Sequence, residues 1–152
     1  MATSTYKVFL GCNYSNQKVK AHFNMLKEKL EKDWPVHVCI IDKEPGKGAR
    51  DLWSEIRRGI DECALAVFDV SGFRPNVVLE LGYSLAVKDE EVILICFDER
   101  KPRKGGKPSW LLSDVGHLNQ TDIVNWANLI KRLNRMLLKC QSSTDSSNST
   151  RP

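Results

Sequence analysis

The residue that most demands a chemical explanation is Glu80, in the run Asn76-Val77-Val78-Leu79-Glu80-Leu81-Gly82-Tyr83. A helix turns about 100° per residue, so Val77, Val78, Leu81 and Leu85 form a core-facing stripe, with Asn76, Glu80, Tyr83 and Val87 beside it. Leu79 and Ala86 are apolar as well, which leaves this helix almost no polar face. A carboxylate there is expensive to bury unless it has partners or a task. The plainer alternative is that Glu80 only complements the positive end of the helix dipole. Just upstream, Asp69 closes an apolar run. It serves either as a turn residue for Ser71 and Gly72 or as a contact to a ribose hydroxyl or base edge. Ser71 and Gly72 offer backbone N–H groups and Arg74 a guanidinium suited to phosphate, with Phe73 and Asn76 on either side of it. A second polar cluster, Cys12-Asn13-Tyr14-Ser15, offers hydrogen bonds from Asn13 and Ser15 and a ring from Tyr14, though turn formation accounts for the same residues. Cys12 has a nucleophile's position but no evident histidine partner, so it counts as a lining residue only. The candidate catalytic residue is therefore Glu80. The candidate nucleotide-binding residues are Cys12, Asn13, Tyr14, Ser15, Asp69, Ser71, Gly72, Phe73, Arg74 and Asn76.

These residues must be held by an alternating pattern of strands and helices. Lys7–Gly11 reads as a buried strand, followed by a polar turn and a helix with Val19, Phe23, Leu26 and Leu30 on one face. Trp34-Pro35 ends that helix, because a residue before proline avoids the helical region. Val36–Ile41 is a second strand. The loop Asp42–Ala49 carries the turn residues Pro45, Gly46 and Gly48. A helix over Asp51–Cys63 places Leu52, Ile56, Ile60 and Cys63 inward. Ala64–Val70 is a nearly all-apolar third strand, as parallel sheets covered on both faces require. Pro75–Val87 is a helix with proline in its first turn, and Val92–Phe97 a fourth strand. Asp98–Ser109 reads as a loop, and Trp110–Ile123 as a short helix with a weak fifth strand near His117–Leu118. A last helix over Ile123–Lys139 turns Ile123, Ala127, Ile130, Leu133 and Leu137 inward. Residues 1–140 thus form one domain, and 141–152, almost all Ser, Thr, Asn and Asp, read as a disordered polar tail.

Repeated βα units with right-handed crossovers predict an α/β fold: a flavodoxin-like, doubly wound parallel sheet of about five strands, order 2-1-3-4-5, with helices on both faces. Ligands then bind beyond the carboxyl ends of the strands, where strands 1 and 3 diverge. The loops carrying Cys12–Ser15 and Asp69–Asn76 both fall there.

Composition narrows the function classes. The chain has 152 residues, 41% hydrophobic and 28% charged, the balance of an ordinary globular domain. A net charge of +4 favours anionic partners such as nucleotides, but no basic stripe with interleaved aromatics suggests extended nucleic-acid binding. The 5 cysteines, odd in number and without C-x-x-C spacing, fit free thiols in a reducing compartment rather than a zinc site. His22, His37 and His117 show no spacing for a metal or a triad. Gly46-Lys47-Gly48 matches neither a phosphate-binding loop nor a dinucleotide fingerprint. No signal peptide or membrane span is read in the sequence, so a cytoplasmic location is expected.

The segment Asp69-Val70-Ser71-Gly72-Phe73-Arg74-Pro75-Asn76-Val77-Val78-Leu79-Glu80-Leu81-Gly82-Tyr83 resembles the strand-to-helix segment of Toll/interleukin-receptor-like (TIR-like) nucleotide-binding domains of bacterial defence systems. It is similar, more distantly, to nucleoside 2-deoxyribosyltransferases, which share a Glu-Leu-Gly or Glu-Ile-Gly step on the equivalent helix. Lys7–Ser15 resembles the first-strand box of TIR domains. The resemblance implies cleavage of an N-glycosidic bond by a helix-borne glutamate, which maps onto Glu80. It implies NAD as substrate rather than cofactor, with ADP-ribose or a cyclised form among the products. Asp69 and Asn13 would orient the ribose and Arg74 contact phosphate. It also implies self-association and a signalling partner protein. Two departures matter: Asn76-Val77 replaces a Trp-Cys pair common in TIR enzymes, and Arg74 suits a phosphorylated ligand better than the free nucleoside of the transferases. A nucleoside or nucleotide N-glycosidase or deoxyribosyltransferase, and a non-enzymatic nucleotide-binding scaffold, are the alternatives.

Overall fold

The computed structural model describes residues 5–41, 48–97, 119–122 and 125–148. Its elements are β1 (Tyr6–Gly11), α1 (Gln17–Asp33), β2 (Val36–Ile40), α2 (Ala49–Glu62), β3 (Leu65–Asp69), α3 (Pro75–Val87), β4 (Ile93–Phe97), β5 (Asn119–Asp122) and α4 (Trp126–Asn148), with a 3-10 turn at Glu90–Val92. The sheet is parallel throughout, in the order β2-β1-β3-β4-β5, so the flavodoxin-like α/β arrangement expected from the sequence is the one observed. β1 lies at the centre of the switch, with Leu10 opposite both Ile40 of β2 and Val67 of β3.

Strand side chains alternate between faces, and the core divides accordingly. Val8 and Leu10 of β1, with Leu65 and Val67 of β3, pack against α1 and α4. Phe9 of β1, with Ala66 and Phe68 of β3, packs against Ile56 and Ile60 of α2 and Val77 and Leu81 of α3. α2 and α3 are therefore neighbours on one face, and their N-terminal halves stand at the carboxyl ends of the strands. α1 begins where Asn16, as N-cap, accepts the backbone N–H groups of Lys18 and Val19. Such a cap satisfies donors that have no partner within the helix. At its other end the Trp34 N–H donates to the Leu30 carbonyl.

Four details differ from the sequence reading. The fifth strand is Asn119–Asp122, just after the expected position; His117–Leu118 lies outside the described residues. It is an edge strand with a polar sequence, held by backbone pairing to β4, so no hydrophobic alternation marks it. α4 buries Leu129, Leu133, Met136 and Leu137 rather than a stripe through Ala127, which is exposed. It also continues to Asn148, where composition suggested a disordered tail from Gln141. Once a helix is nucleated, each further residue adds a hydrogen bond for the few dihedrals it fixes, so poor helix formers can extend an existing helix. On α3 the buried stripe is Val77, Leu81 and Ser84, with Val78 and Leu85 at its margins and Val87 exposed. Among the described residues no helix is long and apolar enough to cross a membrane, and all 5 cysteines are free.

Candidate active site

The turn from β3 into α3 sets the geometry. Asp69 is 4% exposed and its Oδ1 accepts the Ser71 N–H at 2.9 Å, closing an Asx-type turn. Gly72 and Phe73 follow with φ of 74° and 51°, two successive left-handed residues. Glycine adopts this freely; a bulky residue such as Phe73 does so only under constraint. The Phe73 N–H donates to the Val70 carbonyl at 3.0 Å, which fixes the reversal. The chain then enters α3 with Pro75 at the first helical position.

A cleft of about 670 Å³ opens between this start of α3, the loop after β1, and the N-terminal half of α2. That size is typical of small-molecule sites. Cys12, Asn13, Tyr14 and Ser15 line it from the β1 loop, and Arg74, Asn76 and Glu80 from the α3 side. Seven of the eleven sequence candidates thus meet at one place. The other four, Asp69, Ser71, Gly72 and Phe73, build the turn behind it and do not line it. Within the β1 loop, Ser15 Oγ donates to Asn13 Oδ1 at 2.5 Å and the Tyr14 hydroxyl donates to the Leu10 carbonyl at 3.2 Å. These residues therefore shape the turn as well as the rim.

Glu80 is the chemical centre of the cleft. It lies one turn inside α3, and its carboxyl group reaches across to the end of β1. A Cβ added at Gly11 would stand 2.8 Å from Glu80 Oε2 and 2.6 Å from the Phe68 ring. Gly11 thus makes room for the carboxyl group to lie against the backbone at the switch point. Among the described residues Glu80 has no hydrogen bond or ion pair, and burial pushes its pKa up to about 7. The direction follows from physics: desolvation penalises the charged form, and among the described residues no hydrogen bond or ion pair offsets it. Strongly shifted groups in clefts are enriched at functional sites. Arg74, exposed at the rim, has no carboxylate partner among the described residues.

Sequence reasoning missed two parts of the site. Gly11 was only a strand end. In the opposite wall, Ile41 was read as a strand end, Ala49 as a loop residue, and Leu52, Trp53 and Ile56 of α2 as ordinary helix. One signal was available for Trp53: it falls outside the inward stripe Leu52, Ile56 and Ile60, yet sits at the carboxyl side of the sheet beside β1. Among the described residues no group of three or more His, Cys, Asp or Glu side chains is placed to hold a metal ion.

No protein-family model matches the sequence, and no curated protein matches it significantly. Solved structures do share the fold. A 2-deoxyribosyltransferase from Leishmania mexicana superposes with a TM-score of 0.53 at 20% identity, over 66% of this chain and 75% of its own. A CMP N-glycosidase from Clostridium botulinum gives 0.54 at 17% identity, over 76% and 85%. A prokaryotic SEFIR domain gives 0.55 at 14% identity, over 87% and 90%. At these identities the likeness is one of fold, and the chemistry rests on the residues of the cleft.

Proposed function

We propose that this chain cleaves an N-glycosidic bond of a nucleotide, with NAD as substrate and Glu80 as the group that stabilises positive charge on the ribose. The observation that carries this reading is the state of Glu80: a desolvated carboxyl group at the topological switch, without a partner among the described residues, and with a pKa of about 7. Glycosidic cleavage passes through an oxocarbenium-like centre, and a carboxylate fixed in a low-dielectric cleft stabilises such charge far better than one in water. The chemistry named for two of the solved structures of this fold, deoxyribosyl transfer and CMP N-glycoside cleavage, supports the reaction class.

The composition of the cleft supports NAD as the substrate. Glu80 is the one carboxyl group among its described lining residues. Most glycosidases divide the work between two carboxyl groups, one of them protonating the leaving group. The single carboxylate that the described lining presents suits a leaving group that needs no proton. Nicotinamide in NAD is such a group, because its ring nitrogen is already positively charged. When the bond from C1′ to that nitrogen breaks, the electron pair stays on nitrogen and neutral nicotinamide departs. Water then attacks C1′ and loses its proton to give ADP-ribose, or a second nucleophile within the substrate gives a cyclised product. The positive ring also favours ionised Glu80, so substrate binding lowers the pKa of this carboxyl group. Arg74 at the rim supplies charge for the diphosphate.

The test is incubation of concentrated protein with NAD, following nicotinamide by chromatography beside Glu80→Gln. High concentration is used because self-association is part of the expectation. Release that falls at least about a hundredfold in the folded variant supports a catalytic carboxylate. Undiminished release by Glu80→Gln removes the assignment. Base exchange between a deoxynucleoside and a free base, without NAD cleavage, would identify a transferase instead.

A further inference from the structure

The walls of the cleft are unlike one another. The β1 loop and the start of α3 present Asn13, Ser15, Arg74 and Asn76, whereas the α2 side presents Leu52, Trp53 and Ile56, with Leu79 of α3 beside them. Trp53 is only half-buried, although burying an indole is among the largest apolar gains a side chain can make. It is also held in place. Its ring packs edge-to-face on Tyr83 of α3, with centroids 5.8 Å apart and planes at 72°. The Tyr83 hydroxyl in turn donates to Asp61 Oδ1 at 2.8 Å, and this hydrogen bond raises the Tyr83 pKa and keeps the phenol protonated. Asp61 stands eight residues after Trp53 on the same helix, so the contact is a closed bracket between α2 and α3. An indole fixed by such a bracket, half-exposed and lining a cleft, is a preformed surface for a flat ring.

We propose that Trp53 is the platform on which the leaving heteroaromatic ring of the substrate stacks, and that Tyr83 and Asp61 are positioning residues that hold it there. This rests on the reading of the cleft as an N-glycosidase site. It divides the site: the sugar and phosphates lie toward Asn13 and Arg74, the base toward Trp53, and the bond to be broken between them at Glu80. Stacking on a fixed aromatic ring acts on the bound substrate and the transition state alike, so its loss raises KM and leaves kcat nearly untouched.

Binding measured in a Glu80→Gln background, where turnover does not interfere, tests the assignment with NAD and with ADP-ribose, which lacks the nicotinamide ring. Adding Trp53→Leu is expected to weaken NAD about tenfold to a hundredfold, the range found when an aromatic platform for a base is removed. ADP-ribose should change less than about threefold, Trp53→Phe should restore most NAD affinity, and Tyr83→Phe, which frees the bracket from Asp61, should give a smaller loss. Trp53→Ala serves if the leucine variant melts early. Equal weakening of both ligands would mean that Trp53 is a structural residue, and unchanged NAD affinity would remove it from the site; either overturns the proposal while leaving Glu80 in place. Folded Glu80→Gln protein that binds ADP-ribose but gains nothing from the nicotinamide ring also overturns it. Failure to bind either ligand would instead take down the substrate reading, and the platform with it.

Discussion

Asp69 and Glu80 both stand at the carboxyl end of this sheet, and they are treated in opposite ways. Asp69 closes β3, is almost fully buried, and is engaged by the Ser71 N–H. Glu80, one turn into the helix that follows, is also largely removed from water but has no partner among the described residues, and its pKa rises to about 7. A carboxylate that accepts backbone N–H groups is a piece of architecture, since those bonds stabilise its charged form. One that is desolvated without compensation is a cost to the fold, and proteins retain such costs where a ligand supplies the missing interaction. The comparison teaches that the partners of an acid, more than its burial, separate scaffold from site.

The sharpest way to break the comparison is Gly11→Ala. The new methyl group would collide with both the Phe68 ring and Glu80 Oε2, and Phe68 is fully buried and cannot yield. We expect a loss of about 1–3 kcal/mol from overpacking, together with a drop in nicotinamide release of about tenfold or more per folded molecule, since small misplacements of a catalytic group are costly. Urea melts and the release assay separate the two effects; an unaffected rate would mean that the position of the Glu80 carboxyl group is not critical.

A second prediction concerns stability against pH. The native state binds the Glu80 proton more tightly than the unfolded chain does, because the pKa rises from 4.5 to about 7. The advantage of the protonated form is complete below pH 4.5 and is lost as pH climbs toward 7. Glu80→Gln has no such titration. It should therefore gain on the wild type by up to about 3 kcal/mol at pH values above the native pKa and by nothing in acid. Denaturant unfolding at acidic and alkaline pH measures the difference, and a gap that widens toward acid would contradict the assigned shift.

The smallest effect is expected at Asp69. Replacing it with alanine leaves the Ser71 N–H without its acceptor and should lower stability by about 1–2 kcal/mol. Turnover of the folded fraction should change by less than about threefold. A much larger fall in turnover, with stability preserved, would place Asp69 in the chemistry and erase the distinction from Glu80.

Much of this arrangement was legible in the sequence. The apolar strands and their glycine and proline punctuation led to the strand order, and the odd carboxylate in an apolar helix led to Glu80. Both are local signals of periodicity and composition. What was missed depends on contacts between distant segments. Gly11 is unremarkable until the side chain of residue 80 is known to cross it, and Trp53 is a helix residue until α2 is set beside α3. Phe73 was chosen for its position in a candidate loop, whereas its left-handed backbone serves the turn behind the cleft. β5 was expected but set slightly early, because an edge strand held by backbone pairing needs no hydrophobic pattern to mark its bounds.

The pH dependence of kcat/KM for nicotinamide release by the wild type tests the central claim most directly, since this parameter reports ionisations of the free enzyme. If ionised Glu80 stabilises the ribosyl cation, the rate should rise about tenfold per pH unit in acid and level off above a break at about 7, with the break in kcat displaced to lower pH by the positive ring of bound NAD. A flat profile across that range, or one that falls as Glu80 ionises, would contradict the account.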